Sequence, residues 1–347
     1  MSEDVPLAWL RQELAQRART IEWLDGELAQ RRATVQLLDG ELRARRATVA
    51  ALEDRLRALD HAANGRSPVL LTSVPKAGTH LLQKAYEALS GRHDAIQRLH
   101  REGVLEHVTQ ALPGSWGGRA PVTALQLYTP SREILERCLE LADDEYLRTH
   151  LTFTPEHEEV LAAHGCRVVF VLRDPRDQLV SRVHYTYDQR AYFPGLEGLA
   201  PDELLLRLIG RDGEDHDDLL SGFLFYGGPP GDRDVSHVRE LYELYLPWRT
   251  SPICLTVRFE DLVGPEGGGS AERRLAAVSA IARHCGIAAT AARLQEIAGG
   301  LFGGTATFRV GSTGSWRSAF GPEHQRAFKA VAGDLLVELG YETGLDW

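Results

Sequence analysis

The sequence predicts an α/β protein: a mainly parallel sheet flanked by helices, preceded by a long N-terminal coiled-coil helix. Three observations carry this. From Val69 onward, short apolar runs alternate with amphipathic stretches, the pattern of a sheet covered on both faces. One run, Val69–Leu82, enters a turn holding Pro75, Lys76 and Gly78 and leaves it as a helix. Ahead of it, residues 7–59 repeat their apolar positions every seven residues.

In the heptad segment, with Leu7 at position a, the series continues through Leu14, Ile21, Leu28, Val35, Leu42, Val49 and Leu56 without a break. Position d alternates leucine with Arg17, Arg31 and Arg45, so the true repeat is two heptads. Gly26 and Gly40 fall at outward f positions, where each costs about 1 kcal/mol in helix propensity without disturbing the seam. Glu13, Glu27 and Glu41 at g supply carboxylates beside the arginines, which set register and partner number at a cost in stability. At ~1.5 Å per residue the helix reaches roughly 80 Å. Residues 1–64 are thus expected to be a homo-oligomerisation helix acting through 7–59, and residues 65–347 a catalytic or binding domain. A helix folded back on its own globular domain is the alternative.

His61–Pro68 breaks the helix through Asn64-Gly65 and Ser67-Pro68. Strands are expected at Val69–Ser73, Arg167–Leu172 and Ile253–Arg258, with an extended stretch at Tyr146–Phe153. Helices are expected at Thr79–Leu89, Arg132–Glu140, Pro155–His164, Arg176–Tyr187, Pro201–Ile209, Val235–Trp248, Ala271–Cys285, Ala288–Ile297 and Glu323–Leu339. Gly195–Asp234 is acidic and rich in Gly and Pro, and reads as a surface excursion.

Composition narrows the function. A net charge of −10 over 347 residues argues against general nucleic-acid or anionic-membrane binding, yet leaves room for a local basic pocket. The opening MSEDVPLAWLRQEL is no secretory signal, and no apolar run approaches the ~20 residues of a membrane span. Cys138, Cys166, Cys254 and Cys285 form no CxxC pair, which points to a reducing cytoplasm. No HxxxH or CxxC cluster suggests a metal.

Chemistry-bearing residues recur along the domain. The Val69–Leu82 strand, loop and helix N-terminus form an anion site, to which Lys76 adds a full charge. Lys76 precedes Gly78, whereas a nucleoside-triphosphate loop of the Walker type places its lysine after the last glycine. Arg173 follows a buried strand, with Ser181 eight residues on in the next helix, an arrangement able to grip a phosphate. Arg148 and His150 lie two apart in an extended segment and share a side, so the cation holds the imidazole toward its neutral form. Arg309, Gly311 and Gly314 mark a loop whose N–H groups can cover an anion.

Taken together, these stretches resemble the PAPS-dependent sulfotransferases, which move a sulfuryl group from 3′-phosphoadenosine 5′-phosphosulfate to a hydroxyl or amine. Pro75-Lys76-Ala77-Gly78-Thr79 matches the family's PKxGT loop, and Arg173 with Ser181 its RxPxDxxxS segment. Arg148-Thr149-His150 is similar to its KTH, Arg258–Leu262 to its [RY]xEDL, and Arg309, Gly311, Gly314 and Trp316 to its RxGxxGxW loop. They come in the family's order across 69–340.

The resemblance implies a P-loop-like fold and a role for each residue. Lys76 would contact the bridging oxygen of the donor, while Ala77, Gly78, Thr79 and His80 cradle the 5′-phosphate. Arg173, Ser181, Arg309 and Gly311 would hold the 3′-phosphate. His150 would take the acceptor's proton, and Arg148 would help neutralise the transferring sulfonate. No metal is implied. The chain departs from the family at His80-Leu81, where Thr-Trp is common, so adenine packing falls to another residue such as Phe302. Phe259 replaces a frequent tyrosine at the adenine, and Val310 replaces a lysine at the 3′-phosphate. His80 is a second candidate base and His184 a third.

The acceptor is not encoded recognisably: a small molecule, a glycan and a lipid head group are all open. Residues 90–145 and 186–250 are expected to shape its pocket, with Tyr128, Tyr187, Tyr192, Phe193, Phe223 and Tyr226 as aromatic candidates. The competing reading is a coiled-coil scaffold whose domain binds nucleotide without turnover.

Overall fold

The computed structural model describes residues 7–64, 67–104, 130–188, 200–210, 238–304 and 311–347. The chain divides into two units, one ending at Leu56 and the other running from Arg57 to Trp347. Helix α1, Leu7–Asn64, is 58 residues long, about 87 Å at ~1.5 Å per residue. Its a-position residues Leu14, Ile21, Leu28, Val35, Leu42 and Val49 are all exposed, as are Leu24 and Leu38 at d. Arg17 and Arg31 pair with Glu13 and Glu27 one turn earlier on the same helix. Such exposed pairs contribute only about 0.3–0.5 kcal/mol each.

Among the described residues the second unit holds a five-stranded sheet in the order β2-β3-β1-β4-β5, every neighbouring pair parallel. The strands are β1 (Val69–Ser73), β2 (His93–Asp94), β3 (Glu145–Arg148), β4 (Arg167–Leu172) and β5 (Cys254–Arg258). β1 lies between β3 and β4, with Leu71 opposite Arg148 on one side and Val169 on the other. Its residues are wholly buried, and alternation sends them into two cores. Leu70, Val168, Phe170 and Leu147 pack on one face; Val69, Leu71, Val169 and Val171 pack on the other. A parallel sheet covered on both faces is therefore the observed architecture.

The helices that position the site are α2 (Thr79–Ser90), α3 (Ile96–Arg101), α4 (Arg132–Cys138), α5 (Pro155–Ala163), α6 (Pro175–Asp188) and α7 (Pro201–Ile209). They continue with α8 (Val238–Glu243), α9 (Phe259–Leu262), α10 (Ala271–His284), α11 (Ala291–Gly299), α12 (Trp316–Ala319) and α13 (Pro322–Glu338).

Three local expectations change. The helix expected over Val235–Trp248 ends at Glu243, and a 3-10 turn spans Leu246–Thr250, because Pro247 lacks the N–H a continuing helix needs. The polar turn that VRFEDL predicts after the β5 strand is a short helix, Phe259–Leu262. The stretch Tyr146–Phe153 is strand only to Arg148, although Thr149 N still donates to the Leu71 carbonyl at 2.8 Å. β2, two residues long, has no apolar run to announce it.

Candidate active site

All five strands being parallel, their C-terminal ends share one edge, where ligands gather in such sheets. The residues that follow β1, β3, β4 and β5 meet there. After β1 the chain turns tightly, with Ala77 N donating to the Val74 carbonyl at 3.0 Å. Lys76 takes a left-handed φ of 69°, and Gly78 a φ of 116°. A Cβ on Gly78 would stand 2.6 Å from Phe259 Cδ2, so glycine is dictated by conformation and by contact. The stretch after β4 and the start of α6 fasten the loop's carbonyls: Arg173 Nη1 donates to Lys76 O at 3.2 Å and Gln178 Nε2, on α6, to Pro75 O at 2.6 Å. The N-terminus of α2 carries no side-chain cap, leaving its N–H dipoles to an anion.

Arg173 joins two distant stretches. Its Nη2 donates to Ser312 O at 3.1 Å, its guanidinium lies 4.2 Å from the Phe259 ring, and its backbone carbonyl accepts from the Tyr242 hydroxyl. Its Nε is buried with no partner among the described residues. The Ser312 loop is held a second time by Asp177, whose carboxylate accepts from Gly314 N at 2.6 Å and Trp316 N at 2.9 Å. Neither acid of the RDPRD stretch pairs with Arg173. Asp174 instead binds Arg176 through both oxygens, and Arg176 stacks on Trp316 and Trp347.

β3 brings the histidine. Pairing with β1 persists past the strand end, since Thr72 Oγ1 donates to Leu151 O, and this sets His150 beside Ser73. His150 Nδ1 lies 2.9 Å from the Ser73 carbonyl, an atom that only accepts, so the hydrogen sits on Nδ1 and Nε2 carries the lone pair. Burial first, then Arg148, lowers its pKa to about 4, and the ring is neutral at pH 7. Ser73 Oγ reaches Thr79 Oγ1 at 2.5 Å, tying the base of the histidine to the start of α2. Arg148, buried, gives Nε to Asp94 Oδ2 at 2.7 Å and places Nη1 3.2 Å from His80 Nδ1.

Lys76 Nζ lies 4.1 Å from the centroid of Tyr185, which is one helical turn beyond Ser181 on α6. Ser181 is part-buried on that helix. Phe302 is part-buried in a loop that Lys84 holds through the Leu301 and Gly303 carbonyls. Gly311 has a left-handed φ of 61°. Arg309 and Val310 lie outside the described residues, as do Tyr128, Tyr192, Phe193, Phe223 and Tyr226. Asp94 and Tyr185 escaped sequence reading because they sit on elements without distinctive spacing, while Asp177 and Gln178 stood inside the Arg173–Ser181 segment with nothing to mark the loops they bind. No group of His, Cys, Asp and Glu among the described residues has metal-binding geometry, and none of their helices is long and apolar enough to cross a membrane.

A catalytic domain built on a parallel sheet, with a lysine loop, two loops bridged by an arginine and a neutral histidine at one edge, is the class these features define. The sequence profile of the sulfotransferase domain matches residues 66–264, more than half of the chain, and the protein belongs to that family. Solved structures similar to it include mouse sulfotransferase SULT7A1 complexed with PAP, at 16% identity, covering 80% of this chain and 87% of that one with a TM-score of 0.49. Retinol dehydratase in complex with androsterone and the inactive cofactor PAP is 16% identical, covering 81% and 85% with a TM-score of 0.43. The same enzyme with retinol and PAP is 17% identical, covering 80% and 85%, also at 0.43. No curated protein matches the sequence.

Proposed function

We propose that this sulfotransferase uses 3′-phosphoadenosine 5′-phosphosulfate as donor and a hydroxyl or amine of a small-molecule, glycan or lipid-head-group acceptor, with His150 as general base. One observation carries the reading: a neutral imidazole with its lone pair on Nε2 stands beside the lysine loop that Arg173 ties to the Ser312 loop. The residues present suit a doubly anionic nucleotide. The uncapped α2 N-terminus suits its 5′ end, while the unpartnered Arg173 Nε, with Ser181 and Gly311, suits its 3′-phosphate.

His150 Nε2 takes the proton as the acceptor oxygen or nitrogen forms its bond to sulfur. The bond between sulfur and the bridging oxygen breaks, and Lys76 neutralises the electron pair that stays on that oxygen. Sulfuryl transfer resembles phosphoryl transfer in having a loose, charge-spread transition state, so positioning and cationic stabilisation supply the catalysis. No metal enters this mechanism. Arriving phosphates favour the imidazolium, which strengthens a base that is weak in the ligand-free protein.

3′-Phosphoadenosine 5′-phosphate is expected to raise the melting temperature well above AMP or ATP at equal concentration. His150→Ala is expected to retain that shift and lose activity by about 10²-fold or more. Unchanged activity in that variant refutes the base assignment. The exposed a positions of α1 support homo-oligomerisation, and removal of residues 1–64 is expected to leave a monomer by light scattering; the four scattered cysteines suit a reducing cytoplasm.

A further inference from the structure

We propose that Asp94 and Arg148 fix His80 as a hydrogen-bond donor to the transferring sulfonate, the complement of the acceptor His150. The inference rests on the donor chemistry set out above. His80 is the second residue of α2, in the place where the family resemblance led to the expectation of a phosphate cradle or a second base. Its Nδ1 is approached by Arg148 Nη1 at 3.2 Å. A guanidinium has no lone pair, so Nδ1 accepts and the ring hydrogen belongs to Nε2. Asp94 aims that guanidinium by accepting from Nε at 2.7 Å, both side chains being nearly buried.

A second group faces the same nitrogen. Gln83 Oε1 stands 3.2 Å from Nδ1, and would favour the opposite tautomer. Its amide is held in that orientation by Glu87, whose Oε1 accepts from Gln83 Nε2 at 2.9 Å and from the Tyr146 hydroxyl at 2.7 Å. The contest is between a neutral amide oxygen and a charged donor, and charge-assisted bonds are roughly twice as strong. Arg148 decides it. Burial first, then Arg148, and to a smaller degree Lys76 hold His80 below the usual histidine range, against Gln83 and Glu87, so it carries one ring hydrogen at pH 7.

The two histidines therefore present opposite faces of the same chemistry. The Ser73 carbonyl makes His150 a base through Nε2, and Arg148 makes His80 an N–H donor through its own Nε2. In a loose transition state the sulfonate oxygens carry spread negative charge, which a preset neutral donor stabilises without adding a proton that the base must lose. Asp94 and Arg148 are positioning residues for His80.

The tautomers are read directly by long-range ¹H–¹⁵N correlation of the full chain labelled at histidine, with His80→Gln and His150→Gln supplying the assignments. The expected pattern is hydrogen on Nε2 in His80 and on Nδ1 in His150; hydrogen on Nδ1 of His80 overturns the proposal. In Asp94→Asn and Arg148→Gln, His80 is expected to shift toward the Nδ1 hydrogen donated to Gln83. His80→Gln, whose amide nitrogen reaches the place of Nε2, is expected to stay within a few-fold of the native kcat, whereas His80→Asn and His80→Ala fall by about 10²-fold. The acid limb of the pH–rate profile is expected to persist in His80→Ala; its disappearance makes His80 the base and sinks the assignment. Stabilisation by 3′-phosphoadenosine 5′-phosphate is measured on every variant. If the native protein shows none, the donor reading itself fails; if it does and His80→Ala retains native kcat, only the role of His80 fails.

Discussion

Replacing Gly78 by alanine tests the lysine loop at its tightest point. Two costs add. A φ of 116° is strained for any residue with a Cβ, a cost of about 1–3 kcal/mol. The new methyl would meet Phe259 Cδ2 at 2.6 Å, and the ring cannot retreat easily, because Arg173 lies 4.2 Å from its centroid and is itself bonded to the Lys76 and Ser312 carbonyls. Overpacking of this kind costs about 1–3 kcal/mol. The expected destabilisation is about 3 kcal/mol in urea unfolding, with weakened binding of 3′-phosphoadenosine 5′-phosphate because the displaced ring pushes on Arg173. Gly91→Ala is the control: its φ is 69° and nothing lies within 4 Å of the added Cβ, so only conformational strain of about 1 kcal/mol is expected. If Gly78→Ala costs no more than Gly91→Ala, the packing of Phe259 on the loop is wrong.

Other perturbations separate the remaining parts. Asp177→Ala strands the N–H groups of Gly314 and Trp316, at about 1–3 kcal/mol each, and is expected to raise the donor KM more than it lowers kcat; a selective fall in kcat contradicts it. Burial raises Glu260 to about 6, so the native state binds that proton more tightly than the unfolded chain. Its favourable contribution is lost as pH rises from about 4.5 through 6, and the stability advantage of Glu260→Gln is expected to grow by roughly 2 kcal/mol between pH 4.5 and 7.5. A pH-independent difference in urea unfolding refutes this. His150 has the opposite sign: with its native pKa lowered to about 4, it contributes stability above pH 6.5 that is lost as pH falls toward 4. The limb of kcat/KM set by its protonation is expected near pH 4 in the native protein, not near 6.5.

The sheet was legible because buried strands announce themselves. RVVFVL and VLLTS are continuous apolar runs, and both strands fall where those runs lie. β2 was not, since His93 and Asp94 pair with Glu145 and Tyr146 in a two-residue strand with no apolar run. The same blindness hid Asp94, whose role exists only once β2 lies beside β3. Motif spacing marked Lys76, His150 and Arg173, but not what satisfies them. That Arg173 spends two donors on carbonyls, and that Arg148 faces both an acid and a second histidine, are facts of tertiary approach with no sequence period. Pro247 was visible throughout, and its break in the helix was the more readable signal than the apolar pattern around it.

Calorimetric titration of 3′-phosphoadenosine 5′-phosphate against AMP, in the native protein and in Arg173→Ala, asks whether one cavity grips both ends of the nucleotide. The 3′-phosphate, held through charge-assisted bonds of about 1.5–3 kcal/mol each, is expected to tighten binding by about 10²-fold or more, and Arg173→Ala to remove most of that gain. Equal affinity for the two nucleotides in the native protein contradicts the account.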